Sequence, residues 1–587
     1  MIDNKHIGKI ILSVTALALA ALLVFMLVFG QSTQAAASGI SMAYENSLFS
    51  TDSIIDVDIS ISDSDWEDLL QNAISEEYYS CDVTVNGTEY KNVGFRAKGN
   101  TSLSMVASSD SDRYSFKISF DEYVDGQNCD GLSKLVLNNN YSDATMMKEA
   151  ICYDMFAFLG ADASLYNYAK VSINGEYYGV YLALEPVEES FAMRNYGTNY
   201  GELYKPDSME LGGPGKMKDW DGEMPDFTGE KPDSTDEMPD FSSGTNEPPE
   251  KPSGNPPEMP SDGDMPSPPN RTSDSDSEKN DNKGGDMGGT DFGMGSGSGA
   301  SLNYTDDSLD SYEAIWEGSV FNTTDKDHRR VVKALKNICS DDTDNKTLAE
   351  YMDVDNVLRY MAVQTFVVNL DSLSGNMAHN YYLYESDSKL NIIPWDYNLA
   401  FGGFQSQDAS DVINFPIDTP FSSGVSTEDR QFFLSLLENE EYLEQYHDYL
   451  RQLTDEYVGG GIFENTVSRI TSQIDDLVES DPTSFYSYTE YKSAVEMLKE
   501  TVSLRAKSIR GQLDGTIPST RSGQEEDAST LIDSSSIDLN VMGVMNAGGG
   551  GGKDGGRDFG GGFDFSGERN SDGENDNRPA PNGAGPV

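Results

Sequence analysis

Short runs of β-forming residues alternate with turn residues over the first third of the chain, residues 45–205. Residues 115–120 and 168–173 are two such runs, and Asn174-Gly175 after the second predicts a tight hairpin turn. Between the two runs, residues 144–159 carry apolar side chains at helical spacing. Asp143 lies just before this segment, in the place of a helix N-cap. This part is predicted to form strands, one helix and a hairpin.

A second patterned region extends from residue 302 to about 516, and most of it has the apolar spacing of helices. The strongest helical segments cover residues 354–369, 429–455 and 489–513. One strand-like interruption spans residues 380–393. We therefore predict an α+β fold with a strand-rich first part and a mainly helical second part.

Two segments lack any periodic apolar face. Fourteen of the 23 prolines fall between residues 206 and 300, together with many Gly, Ser and Asp residues. Such a composition buries too little apolar surface to fold, so 206–301 is predicted to be a disordered insertion. Residues 517–587, with their glycine runs, are predicted to be a low-complexity tail. The folded body is then one two-lobed domain made of residues 45–205 and 302–516.

An uncharged apolar run from Ile10 to Phe29 follows Lys5 and Lys9. Twenty such residues are long enough to span a bilayer, and the lysines favour an inside N-terminus. We expect a membrane anchor with the body outside the cytoplasm. A signal peptide cleaved after residues 35–37 would export the body equally well. Residues 1–44 are assigned to the anchor or signal and a linker.

The net charge and the cysteines limit the partners and metal sites that this chain can have. The net charge of −60 argues against a nucleic-acid partner, because phosphates would be repelled. The four cysteines have no metal-ligand spacing, and the sequence allows either one disulfide or buried free thiols. A basic partner or multivalent cations suit such a chain better.

Two aspartates stand at the ends of apolar runs, Asp371 after residues 365–370 and Asp396 after residues 390–395. An aspartate, a following asparagine and a second aspartate after a strand can serve phosphoryl transfer, which needs positioned carboxylates and cations more than covalent catalysis. Mg²⁺ keeps phosphate and water ligands, so two or three protein oxygens suffice. In so acidic a chain, however, two such aspartates alone are more typical of structural turns than of a catalytic site.

Several motifs in series resemble the CotH family of atypical protein kinases. They are RAKGNTS at 96–102, FKI at 116–118, GVYL at 179–182, NLD at 369–371, HNYY at 379–382 and IPWD at 393–396. The resemblance covers most of residues 45–516 and implies a two-lobed, kinase-like fold that binds ATP with Mg²⁺ or Mn²⁺. It also implies phosphorylation of protein, including spore coat proteins.

The resemblance assigns a role to each candidate residue. Asp371 becomes the catalytic base and Asp396 a metal ligand. Asn376, five residues after Asp371, and Asn380, in the HNYY motif, are the candidates for the metal-binding asparagine, and we favour Asn380. Lys117 on a strand is the candidate ligand of the ATP phosphates and Glu149 its partner, although a strand-edge lysine and a solvated glutamate are alternatives.

The role of His379 and the segment before Lys117 also bear on the comparison with kinases. His379 is as readily a hydrogen-bonded core histidine as a participant. A glycine-rich loop of the kinase type is missing before Lys117, where residues 96–102 stand instead.

The function expected from the sequence is an exported, ATP-dependent protein kinase that acts on a cell-surface or coat protein. The alternative is a non-catalytic surface, envelope or spore-coat protein that keeps the kinase-like fold. Intact Asp371, Asn380 and Asp396 favour the kinase, because a non-catalytic protein would be free to lose them.

Overall fold

Ten strands and fifteen α-helices are formed by the residues that the computed structural model describes, which are 39–206, 300–406, 408–426 and 428–545. The strands are β1 Ile55–Ser60, β2 Tyr79–Val85, β3 Thr88–Lys98, β4 Ser115–Ser119, β5 Lys134–Asn138, β6 Tyr166–Ile173, β7 Glu176–Leu184, β8 Glu202–Tyr204, β9 Tyr381–Ser386 and β10 Lys389–Pro394. The helices are α1 Tyr44–Ser47, α2 Asp63–Gln71, α3 Thr101–Ala107, α4 Lys148–Leu159, α5 Glu189–Tyr196, α6 Glu313–Trp316, α7 Asp325–Ile338, α8 Asn345–Tyr351, α9 Val354–Val367, α10 Ala409–Ile413, α11 Gln431–Leu437, α12 Glu440–Arg451, α13 Ile462–Glu479, α14 Tyr488–Leu513 and α15 Arg521–Glu526. The fold is therefore mixed α and β with a strand-rich N-terminal region, as predicted.

Seven strands close into a barrel in the order β1-β2-β3-β4-β5-β7-β6. β1 closes it by pairing antiparallel with β2 and parallel with β6. Along β1, Ile55, Val57 and Ile59 are buried and the residues between them are not, which is the period of a strand with one face in a core. Alternate apolar residues of the other strands join them, so the barrel has a hydrophobic core of its own.

The predicted hairpin at Asn174-Gly175 is confirmed. β6 and β7 pair antiparallel on either side of it, and the two turn residues have φ of 53° and 82°. Left-handed backbone at both positions is what this turn type requires, and Asn and Gly adopt it most readily.

The predicted helix over 144–159 is present as α4, but it begins four residues later, at Lys148. The Asp143 carboxylate accepts hydrogen bonds from the backbone N–H of Thr145 and of Lys148. Met146 lies between them with φ of 53°, so the chain turns once before it becomes helical. The aspartate stabilises a turn that leads into the helix, which apolar spacing alone does not reveal.

A second, smaller sheet has the strand order β10-β9-β8. β8 precedes and β9 follows the predicted insertion 206–301, most of which lies outside the described residues. Leu203 of β8 pairs with Tyr384 of β9, so the chain before and after the insertion is joined by backbone hydrogen bonds. This sheet carries the strand that ends beside Asp396.

The helical region agrees with the sequence at two of three segments. α9 and α14 match the predicted helices 354–369 and 489–513, whereas the predicted helix 429–455 is broken into α11 and α12. The break is made by Asn439, whose side chain accepts hydrogen bonds from Glu441 N and Tyr442 N and so starts a new helix. The apolar spacing continues across the break, so the pattern alone does not show it.

The folded body extends past the boundary predicted at residue 516. Residues 517–545 are described, and Met542 within them is fully buried. The predicted anchor, Ile10–Phe29, lies outside the described residues. Within the described part of the chain, we find no helix of the length and apolarity needed to cross a membrane. The four cysteines are free thiols, and three of them are buried.

Candidate active site

The loop that carries Asp371 begins where α9 ends. Val368, just after the helix, has φ of 49° and is buried, an uncommon conformation for a β-branched residue. The Gln364 side chain holds the following loop by donating to the carbonyl of Asn369 and to the hydroxyls of Ser372 and Ser374. Buried Arg430 donates to the carbonyls of Leu373 and Gly375. The loop is therefore fixed from two sides.

The Asp371 carboxylate receives hydrogen bonds from both members of the His-Asn pair that follows it. His379 Nε2 donates to Oδ1 at 2.5 Å, since an ionised carboxylate can only accept. Asn380 Nδ2 donates to Oδ2 at 3.0 Å and to the Asp371 carbonyl at 2.9 Å. His379, which the sequence left open, thus contacts Asp371 directly. Together these bonds hold the carboxylate in one orientation.

Of the two candidate asparagines, Asn380 is the one that donates hydrogen bonds to Asp371. Asn376 is exposed, and its side-chain oxygen accepts a hydrogen bond from the Ser422 hydroxyl at 3.0 Å. The five-residue spacing that made Asn376 a candidate therefore does not bring it onto the aspartate. Asn380 as the metal-binding asparagine stays a prediction.

Asp396 stands immediately beyond β10, after Trp395. Its φ of 62° and the φ of 55° at Asn380 are both in the left-handed region, which Asp and Asn tolerate better than most residues. The Asn369 side chain donates to the Asp396 carbonyl at 3.3 Å, and so ties the two aspartate loops together. The two aspartates are close enough that the charge of Asp371 raises the pKa of Asp396.

A lysine that the sequence analysis passed over, Lys98, faces Asp396. It is the last residue of β3, and its ammonium lies 5.7 Å from the centre of the Trp395 ring. Burial lowers the pKa of Lys98, while the negative charge of Asp396 acts in the opposite direction. Burial likewise raises the pKa of Asp396, and Lys98 opposes that shift. Such mutual perturbation is frequent in functional sites.

Lys117 and Glu149, the predicted phosphate ligand and its partner, have other partners in the structure. Lys117 Nζ donates to Glu188 Oε1 at 2.5 Å, and Lys134 Nζ donates to Oε2 of the same glutamate at 2.6 Å. Although burial acts the other way, these two lysines lower the pKa of Glu188. The reason is the barrel register, which places Lys117 on β4 within reach of the start of α5.

Glu149 is instead linked to Lys98 through one amide side chain. Asn138 donates from Nδ2 to Glu149 Oε2 at 2.8 Å and accepts from Lys98 Nζ at Oδ1 at 3.0 Å. Lys98 belongs to the RAKGNTS motif and precedes Gly99. Its place at the end of a strand and before a glycine was the one feature of the sequence that could have marked it as a site residue. The side chain of Asn138, at the end of β5, had no comparable signal in the sequence.

Basic residues line one face of β3, β4 and β5. Arg96 pairs directly with Lys117 across the strands, and the two-residue period places Lys98 and Lys134 on the same face. We call these four residues the basic face. Outside the barrel, Lys205 lies close enough for its positive charge to act on both Lys98 and Asp396. Arg96 pairs with Glu76, and Lys117 and Lys134 share Glu188, whereas Lys98 donates to the Asn138 amide. Lys98 is therefore the member of the basic face whose charge is offset least by a directly bonded carboxylate.

The buried carboxyl group of Glu149 gives a first testable consequence. Only 2% of this residue is exposed, and burial together with the charge of Asp396 raises its pKa well above the usual range. A raised pKa in the folded state means that the folded protein keeps a proton that the unfolded chain releases. This contribution to stability is therefore present at low pH and is lost as the pH rises above about 4.3 and through the raised pKa.

We expect Glu149→Gln to remove this pH dependence. Between about pH 5 and about pH 8, the Tm of wild type should fall more than the Tm of the variant, by roughly 2–4 °C for each pKa unit of the shift. The measurement is Tm against pH for both proteins without nucleotide. Glu464→Gln, on the exposed face of α13, is the control and should follow wild type. Parallel curves for wild type and Glu149→Gln would contradict the assignment.

Among the described residues, no cluster of three or more His, Cys, Asp or Glu side chains could hold a metal ion. The assignment of Asp396 and Asn380 as metal ligands therefore stays a prediction.

Comparison with protein families gives one match. The model of the CotH kinase protein family matches residues 95–257 and 272–509, more than half of the chain. No curated protein matches the sequence significantly. The matched ranges contain Lys98, Lys117, Glu149, Asp371, Asn380 and Asp396.

Proposed function

Since this chain belongs to the CotH kinase protein family, we propose that it is an ATP-dependent protein kinase that transfers phosphate to protein hydroxyl groups. Membership of a kinase family suggests the use of ATP and a divalent metal. The observation that carries the proposal is that Asn369 joins the Asp371 loop to the Asp396 carbonyl, while Lys98 interacts electrostatically with Asp396. A fold kept only for surface attachment does not need this arrangement of charges.

The proposal includes a two-lobed, kinase-like layout. The barrel would be one lobe, and the helices after residue 302 with the β8–β10 sheet would be the other. Two separate hydrophobic clusters support this division, one inside the barrel and one that joins α4 to the helical region. The candidate residues come from both parts: Lys98 from the barrel, and Asp371 and Asp396 from the second.

The donor atoms fit a divalent cation. Asp396 has a pKa raised by burial and by Asp371, so a cation beside it would relieve an existing repulsion. The amide nitrogen of Asn380 is engaged with Asp371, which leaves its oxygen as the coordinating atom. When bound, Mg²⁺ or Mn²⁺ would neutralise charge on the ATP phosphates.

Each side chain would have a separate role in phosphate transfer. Lys98 would bind and orient the phosphates, with Asn138 and, through it, Glu149 holding its ammonium in place. Asp371 would orient the acceptor hydroxyl and accept its proton at a carboxylate oxygen. His379 would keep the carboxylate turned toward the hydroxyl by its bond to Oδ1.

We further propose that the kinase works outside the cytoplasm, tethered by the apolar run at 10–29 or released by its cleavage. The acceptor would then be a protein of the cell surface or coat. The acidic surface of this chain favours an acceptor with basic character and disfavours nucleic acid.

Nucleotide binding should be visible as a thermal shift. A ligand that binds the folded state stabilises it by about 2.7 kcal/mol at 100 times its Kd, so ATP with Mg²⁺ or Mn²⁺ should raise the Tm by several degrees. ATP with a chelator should give a much smaller shift, because the phosphates then meet Asp396 without a cation. Equal Tm values with and without ATP, in both metals, would leave the non-catalytic surface protein as the better account.

A further inference from the structure

The last described residues of the chain contact two elements that adjoin the candidate site. We call residues 539–545 the C-terminal strap; they begin with a short 3₁₀ helix, Leu539–Met542. The strap lies beyond residue 509, where the family match ends. Its Met542 is fully buried, and its carbonyl accepts a hydrogen bond from Ala144 N at 3.0 Å. The strap is therefore an added part of the folded body.

At one point the strap holds the start of the helix that carries Glu149. Lys148 is completely buried, and its Nζ donates to the Gly543 carbonyl at 2.6 Å and to the Ser142 carbonyl at 3.4 Å. Asp143 supplies the nearby negative charge. A buried ammonium is costly without acceptors, so the Gly543 carbonyl fixes both Lys148 and the first turn of α4. Glu149 is the next residue in that turn.

At a second point the strap holds the loop that follows Asp396. Met545 N donates to the Gly403 carbonyl at 2.8 Å, and Phe404 and Met545 form a parallel bridge. The Leu539 side chain packs beside Gly402, where an added Cβ would lie 3.2 Å from it. The strap thus contacts both the helix that bears Glu149 and the loop that follows Asp396.

We infer that the C-terminal strap positions the phosphate-transfer site by fixing Glu149, through Lys148, relative to the loop after Asp396. This inference rests on the proposed function. Lys148 is a positioning residue, since it acts through its neighbour and the strap. Displacements of about 1 Å at such a site can cost about 100-fold in rate.

Gly543→Ala tests the strap directly. Gly543 has φ of +81°, and an added Cβ would lie 2.6 Å from the Ser142 carbonyl oxygen and 2.8 Å from the Tyr486 hydroxyl. The strap must then shift away from Lys148. We expect kcat/KM for ATP to fall by about 10- to 100-fold in the full chain, measured well below the Tm.

The chain offers a matched control in Gly515→Ala. Gly515 has φ of +73°, so alanine meets the same backbone strain, but nothing lies within 4 Å of the added Cβ. This variant should stay within about twofold of wild type in kcat/KM, because its strain does not reach the strap.

Lys148→Met is a second test of the strap and decides the matter if Gly543→Ala does not fold. Removing the lysine leaves the buried Asp143 carboxylate without its cation, so the Tm should fall. Measured well below that lower Tm, kcat/KM for ATP should still fall about tenfold, because the strap no longer holds the start of α4. Wild-type kcat/KM in a stable Lys148→Met or Gly543→Ala protein would overturn the strap inference alone. Absence of transfer by wild type would overturn the proposed function, and this inference with it.

Discussion

Replacing Asp396 with asparagine is expected to abolish phosphate transfer and to weaken metal-dependent ATP binding. Asp396 is the proposed carboxylate ligand of the cation, so its neutralisation removes the attraction for the cation. We expect transfer to fall at least about 100-fold. Without nucleotide, the Tm should stay equal or rise, because asparagine ends the repulsion from Asp371 and tolerates the φ of 62°.

Replacing Asp371 with asparagine should also abolish transfer, but it should leave ATP binding nearly intact. Asp371 is proposed to orient the acceptor and take its proton, and it does not hold the phosphates. The rate should drop by a factor on the order of hundreds or more, as for a positioned base. The contrast between the two variants is the informative result: both lose transfer, and only Asp396→Asn loses the thermal shift with ATP and metal.

Asp387→Asn is the matched control for both substitutions. Asp387 lies in the exposed turn between β9 and β10, with φ of 54°, so the change in chemistry and the backbone conformation are the same as at Asp396. It should transfer phosphate like wild type. If Asp396→Asn retains transfer, or if Asp371→Asn loses ATP binding as completely as Asp396→Asn, the proposed roles are wrong.

Lys98→Met should cost more transfer than Lys117→Met, which reverses the order expected from the sequence. Lys98 is linked through Asn138 to Glu149 and faces Asp396, whereas Lys117 is neutralised by Glu188. We expect Lys98→Met to lower kcat/KM for ATP by at least about 100-fold. Lys117→Met should lower it about tenfold or less, since Lys134 still pairs with Glu188.

The two lysine variants should also differ in stability. Lys117→Met removes one partner of a largely buried glutamate, so its Tm should fall below that of wild type. Lys98→Met removes a partly buried cation and leaves Asp396 and Glu149 without it, so the Tm loss should grow as the pH rises and these groups ionise. A larger activity loss in Lys117→Met would restore Lys117 as the phosphate ligand.

Local patterns predicted much of the fold because the elements concerned depend on neighbouring residues. The hairpin at Asn174-Gly175 and the helix α9 follow from turn chemistry and apolar spacing within a few residues. The start of α4 and the break at Asn439 were missed because single side-chain hydrogen bonds decide them. The strap was missed because it is a short segment followed by a glycine run, and its contacts are with residues distant in sequence.

From the sequence, contacts within the site could be predicted only between residues that are close together in the chain. Asp371 and Asn380 lie nine residues apart and meet in a single loop, so the sequence could favour that pair. The link from Lys98 to Glu149 joins three separate elements, and the barrel register sets it. Register and loop closure arise from the whole fold, which explains why Lys117 was the stronger candidate on sequence alone.

The central claim is tested most directly by incubating the wild-type protein with γ-labelled ATP in Mg²⁺ and, separately, in Mn²⁺. Label transferred to protein hydroxyl groups, its own or those of an added acceptor, is the expected result, and Asp396→Asn should remove it. If wild type transfers no label in either metal and shows no ATP binding, the kinase proposal fails and a non-catalytic surface protein remains.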